Sequence, residues 1–318
     1  MGFVYGMISS LTPTHIHLLL NHFPTIGFSI AIGLFIGAIV SRSADVKKAA
    51  LTVLVAVAIL TFPTYLSGNA ADQAIRNMPD VSKTLIATHE GAALMSFVLM
   101  EITGAAAWLA LWQMRRVGDV SARTLGTVLL LSAITMGLVT RAANIGGEIR
   151  HSEIRLATES TILEGPIGRD VAAWVNDVAW VWPALESLHF IGLTLLMGTI
   201  LVINVRMLGF MKQVPLDAID RLIPWGVLGF GLNVVTGMLF FIAVPQQYTQ
   251  NIAFLWKVGL ILVAAFNGLY FTAYDRAWAM EPGGDAPALS KAMALSAFVL
   301  WVGVMYYGSM LPFIGDSV

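Results

Sequence analysis

His15-Ile16-His17-Leu18-Leu19-Leu20-Asn21-His22-Phe23-Pro24 opens an apolar run that continues without a charged residue to Val40 and meets Arg42 just beyond. The run exceeds the roughly 20 residues that a helix needs to cross a hydrocarbon core. Hydrocarbon satisfies no backbone hydrogen bond, so a single spanning segment of this kind has to be helical. The same stretch holds three of the chain's six histidines. Imidazole ligates haem iron, copper and zinc, and an ionisable side chain at membrane depth points to function.

Similar runs recur along the 318 residues, which are 57% hydrophobic and only 12% charged, with a mean hydropathy of +0.78. That balance excludes a soluble globular domain and predicts an all-α, multi-pass membrane protein. Apolar periodicity and breakers place eight helices near 16–40, 47–68, 90–114, 121–142, 181–210, 222–245, 252–274 and 289–312. A net charge of −1 offers no basic face for nucleic acid. The absence of cysteine excludes disulfides, iron–sulfur clusters, thiolate zinc sites and c-type haem attachment. Residues 1–14 hold no Lys or Arg, so a cleaved signal peptide is not expected.

Charge sorts the connections. Arg42, Lys47, Lys48, Arg115, Arg116, Arg123, Arg206, Lys212, Arg221, Arg276 and Lys291 follow the odd-numbered spans. The opposite connections carry Arg76, Lys83, Arg141, Arg150, Arg155 and Arg169, spread over longer segments mixed with Asp and Glu. The positive-inside rule then puts both termini on the outer, periplasmic side of a bacterial cytoplasmic (inner) membrane. All six histidines (His15, His17, His22, His89, His151 and His189) fall towards that outer face. Between the halves, Asp170 to Trp180 reads as a short amphipathic helix at headgroup level. The expected organisation is a four-helix module over 1–160, a linker helix within 161–180 and a second four-helix module over 181–318.

His15 and His22 are seven apart and share a helix face, whereas His17 points elsewhere. Topology brings His22 to face His89, on the third span, as the first imidazole pair, whereas His151 by spacing alone reads as a solvated loop histidine beside Arg150 and Glu153 that could fold back to His17 or His15 as a second pair. Gly146-Gly147 ahead of His151 reads as a loop or re-entrant turn. His189 has Glu186 three residues earlier, near enough on a helix to hold its tautomer. Lys257 is expected to pair with Glu186 or to meet a haem propionate, and Arg141 to neutralise propionates. Glu101, about 18 Å along the helix from His89, is the candidate proton relay. The methionines are scattered and read as packing.

Residues 15–160 resemble a family of bacterial four-helix membrane domains of unassigned function, through His22-Phe23-Pro24, Gly68, His89 and Gly146-Gly147 with His151. This chain has Glu148-Ile149-Arg150 where that family has a hydrophobic and an aromatic residue. The second half is similar to copper-resistance-D-like membrane domains, through Leu188-His189-Phe190-Ile191-Gly192, Gly198, Thr236-Gly237, Phe254-Leu255-Trp256-Lys257 and Asn267. The first resemblance implies b-type haem or another metal, and the second makes copper a competitor. The leading expectation is a one-sided b-type cytochrome with one to three haems. It would pass electrons between a periplasmic redox protein and the quinone pool or other membrane subunits. A copper-handling or small-solute transporter, and a membrane anchor for a periplasmic enzyme, are the alternatives.

Overall fold

The computed structural model describes residues 12–79, 81–150, 167–281, 283–311, 313 and 314. The described residues are helical and contain no strand. In chain order the helices are α1 Pro13–Leu20, α2 Phe28–Ser41, α3 Ala44–Ile75, α4 Lys83–Val117, α5 Ala122–Arg150, α6 Ile167–Asp177, α7 Val181–Met207, α8 Leu216–Asp220, α9 Ile223–Ala243, α10 Pro245–Thr249, α11 Ile252–Tyr274 and α12 Ala288–Met310. A π-helical turn, Phe23–Gly27, joins α1 to α2, so Pro13–Ser41 forms one span, and among the described residues eight spans are long and apolar enough to cross a membrane. The chain is a multi-pass helical membrane protein.

The chain folds as two compact units, Met1–Gly104 with Gly126–Val171, and Ala105–Leu125 with Ala172–Val318. In the first unit, α2 buries Phe28, Ala31, Phe35 and Ala38. Their spacing of three, four and three residues makes one face, and α2 packs on α3. Helices in lipid gain nothing by leaving an apolar solvent, so close packing of small residues has to hold them together. Gly104 of α4 shows this: a Cβ there would stand 2.3 Å from the Ala58 Cβ of α3.

Pro24 accounts for the π turn. It has no N–H to give to Leu20 and its ring crowds that carbonyl, so the helix widens. The Phe28 N–H then reaches back to Phe23 O, and the Thr25 hydroxyl donates to Asn21 O at 2.7 Å. α3, by contrast, runs straight through Pro63. Beside that proline the Thr64 hydroxyl donates to Leu60 O at 2.8 Å and lies 3.1 Å from Leu20 O.

The helices near the histidines run longer than the sequence pattern indicates. α3 reaches Ile75, α4 starts at Lys83, and α5 continues to Arg150. The expected turn at Gly146-Gly147 is therefore corrected to helix. Each glycine costs about 1 kcal/mol there relative to alanine, and at Gly146 the missing side chain leaves room for the ring of His89.

In the second unit α7 packs on α9 and α12, and α11 on α12. Arg206 is fully buried at the end of α7. Its Nε donates to Val214 O at 3.0 Å and its terminal nitrogens face Gly284 O at 3.4 and 3.5 Å, which ties two connections together. Arg115 pairs with Asp220, and Arg116 reaches Asp217 at 2.9 Å. Asp275 caps the turn after α11 through Ala277 N–H at 2.8 Å and accepts from the Ser290 hydroxyl at 2.6 Å. Outside the spans, Lys291 and Lys212 hold the exposed Asp285 carboxyl below its ordinary range.

Candidate functional site

The N-terminal histidines separate into three roles. His15 caps α1: the Thr12 hydroxyl accepts from His15 N–H at 3.3 Å, and the Thr12 N–H donates to His15 Nδ1 at 3.4 Å. That is a reciprocal N-terminal cap, with Pro13 in the first turn where a missing N–H is harmless. His22 is exposed just before the π turn and makes no capping hydrogen bond. His17, five residues before His22 and so about 140° around the helix, turns into the first unit.

There it meets His89 of α4. The two ring centres are 6.5 Å apart with planes at 78°. His17 Nδ1 lies 3.1 Å from Thr64 O and 3.1 Å from Ser67 Oγ, while the Ser67 hydroxyl itself donates to Thr64 O at 2.8 Å. His89 Nδ1 lies 2.9 Å from Ala142 O. A carbonyl oxygen can only accept, so each Nδ1 carries the proton and each Nε2 keeps its lone pair. Among the described residues no hydrogen bond engages either Nε2. A carbonyl that accepts the Nδ1 proton of a metal-binding imidazole fixes its tautomer and orientation in this way.

Two glycines make room for the rings. A Cβ at Gly68 of α3 would lie 3.2 Å from His17 Cε1, and one at Gly146 of α5 would lie 2.9 Å from His89 Cε1. Four helical segments therefore build one arrangement, with a ring on α1 against a glycine of α3 and a ring on α4 against a glycine of α5. The structure brings His17 to His89. The expected pairing through His22 is corrected, because the face shared by His15 and His22 points outward. His151 lies outside the described residues.

In the second unit His189 shows the same polarity. Its Nδ1 is 2.7 Å from Thr236 Oγ1, and that hydroxyl donates to Leu232 O at 2.7 Å, so the imidazole is the donor and its Nε2 is left open. Phe240 stands 6.1 Å from the ring centre. The orienting group is thus Thr236 and not Glu186, which accepts from Trp182 Nε1 at 3.2 Å. Burial and the Glu186 carboxylate together push the Tyr248 phenol, in the connection before α11, above its ordinary range. Lys257 packs against Gly308, whose Cβ would stand 3.4 Å from the ammonium, and forms no ion pair with Glu186 among the described residues.

Comparisons with protein-family models, curated proteins and solved structures return no match. The chemistry of the site itself therefore carries its interpretation. Among the described residues no group of three or more His, Cys, Asp or Glu side chains could hold a metal ion. Two imidazoles converge, and among the described residues no third protein ligand joins them. Arg141 is half-buried on α5 beside Ala142, whose carbonyl takes the His89 proton. Glu101 has its Oε1 buried without a hydrogen-bond partner; just beyond it, the Thr103 and Thr135 hydroxyls meet at 2.9 Å. Thr64 and Ser67, the orienting groups for His17, escape a search for ligand residues. Their signal is a small polar patch, Thr64 to Gly68, inside an otherwise apolar span.

Proposed function

We propose that the chain is a b-type cytochrome in which His17 and His89 would hold the haem iron. The observation that carries this reading is the pair of rings 6.5 Å apart, each with Nδ1 tied to a backbone carbonyl and Nε2 free. Two imidazole nitrogens each about 2.0–2.1 Å from one metal put the ring centres about 6–6.5 Å apart. A porphyrin brings four equatorial nitrogens of its own, so a two-ligand protein site suffices where a bare ion would call for a third or fourth side chain. Bound haem supplies reversible one-electron chemistry. The protein's part is to fix both tautomers, to hold the rings against Gly68 and Gly146, and to surround them with apolar helices.

The charge asymmetry of the connections supports placing both termini and this pair on the periplasmic side of a bacterial inner membrane. A site on one side only fits electron exchange between a periplasmic redox protein and the quinone pool or a partner subunit. His189, whose described ring contact is Phe240 and not an imidazole, is not assigned a haem.

The test is a visible spectrum of the purified protein, oxidised and then reduced with dithionite. A reduced band near about 560 nm is expected of b-type haem. His17→Ala and His89→Ala should each abolish it, while His22→Ala keeps it. Loss of the band in His22→Ala with retention in His17→Ala would overturn the pairing. Stoichiometric copper with no such band would replace haem by copper and favour a metal-handling role.

A further inference from the structure

The second unit contains a cavity of about 110 Å³, partly open, between α7, α9, α11, α12 and Trp108. It approaches the size of an apolar cavity of about 150 Å³ that accepts benzene, so it has room for a single ring. Aromatic side chains, Trp108, Phe230, Phe271 and Trp301, furnish much of its wall. Most polar groups around it already have partners. The Trp108 indole donates to Thr272 Oγ1 at 2.8 Å, the Thr272 hydroxyl donates to Gly268 O at 2.7 Å, and Asn267 Nδ2 donates to Ser296 Oγ at 2.7 Å. Asn204 differs. It lines the cavity, is 4% exposed, and its Nδ2 has no hydrogen-bond partner among the described residues.

A buried amide donor without an acceptor is costly, and a protein retains one where something else completes it. We propose that the cavity binds the ring of a membrane quinone, with Asn204 donating to a ring carbonyl. The chemistry narrows the ligand class in three steps. The open group is a donor, so the ligand offers an acceptor oxygen. Among the described residues no charged side chain lines the cavity, and Arg206, two residues along α7 from Asn204, directs its donors to Val214 O and Gly284 O, so the ligand is neutral. The walls are aromatic and apolar, which suits a flat ring that stacks and partitions into lipid. A carboxamide also serves both redox states, because its oxygen accepts from a quinol hydroxyl when the group is flipped. An acyl chain would fill the space and leave the amide unpaired.

The cavity and its orphaned donor stand without haem, but naming the ligand a quinone rests on the redox reading above. The test is isothermal titration of the detergent-purified full chain with a ubiquinone bearing a decyl tail. Saturable binding is expected, weakened about 5- to 10-fold in Asn204→Leu, as loss of one hydrogen bond implies. The Asn204→Leu protein should melt no lower than wild type, since it loses an unsatisfied buried group. Asn204→Ala carries the same expectation if leucine is not accommodated. Absence of saturable binding, wild-type affinity in both variants, or equal displacement by n-decane would overturn the proposal. Haem content is measured on the same samples. Quinone binding without haem sinks only the cytochrome reading, and haem without quinone binding sinks only this one.

Discussion

Replacing Gly146 by alanine tests the site through sterics alone, without touching a ligand. The new Cβ would stand 2.9 Å from His89 Cε1, whereas carbon atoms settle at about 3.5–4.0 Å. The ring must therefore retreat by about 0.6 Å or more. Cε1 lies between the two ring nitrogens, so both move with it. The Nδ1 contact with Ala142 O, now 2.9 Å, would stretch to about 3.5 Å, beyond a normal hydrogen bond. Losing that bond costs about 0.5–1.5 kcal/mol, which is roughly a 2- to 12-fold loss of haem retention before any strain on the iron bond. The helix itself gains about 1 kcal/mol from the same substitution, which offsets the lost hydrogen bond to within about 0.5 kcal/mol, so the protein should express and melt close to wild type. Gly68→Ala is the graded control, because its Cβ would meet His17 Cε1 at 3.2 Å and needs a smaller shift. Haem per polypeptide, read from the reduced spectrum, should fall in the order wild type, Gly68→Ala, Gly146→Ala. Full occupancy in Gly146→Ala, or a larger loss in Gly68→Ala, would refute the reasoning.

Two further outcomes concern the scaffold. Gly104→Ala would set two methyl groups 2.3 Å apart across α3 and α4, forcing the helices to separate by about 1 Å at a destabilisation of about 1–3 kcal/mol; an unchanged melting temperature in detergent would contradict that packing. Asp285 has its carboxyl pulled down by Lys291 and Lys212, so its contribution to stability is present above its unfolded-state pKa of about 3.9 and disappears as pH falls through the depressed folded value. Asp285→Asn should accordingly melt below wild type at pH 7, with the gap closing once the pH is low enough to protonate the folded carboxyl and shrinking in high salt. A gap that persists at low pH would show that the charge is not its cause.

Much of the architecture was legible in the amino-acid order because lipid leaves so few options. An apolar run such as His15 to Val40 has to close its hydrogen bonds within itself, so its length and composition specify a spanning helix without help from any partner. The same holds for the other seven spans, and the amphipathic stretch expected after Asp170 is found as α6, Ile167–Asp177. The ends were less legible. Gly146-Gly147 reads locally as a break, yet α5 carries it because His89 packs where a side chain would be.

Helix periodicity also established that His17 lies on a different face from His15 and His22. It could not say which face turns inward, since rotation of a helix about its axis is decided by its neighbours. Here α3 supplies Thr64 O, Ser67 Oγ and the space at Gly68, and these draw His17 in and leave His22 outside. The orphaned amide of Asn204 is likewise invisible in sequence, because a missing partner is a property of the surrounding helices and not of the residue. Composition and periodicity are enough to specify a helical membrane protein and the length of its spans. The meeting of His17 with His89 follows from packing instead, because convergence depends on contacts between residues distant along the chain.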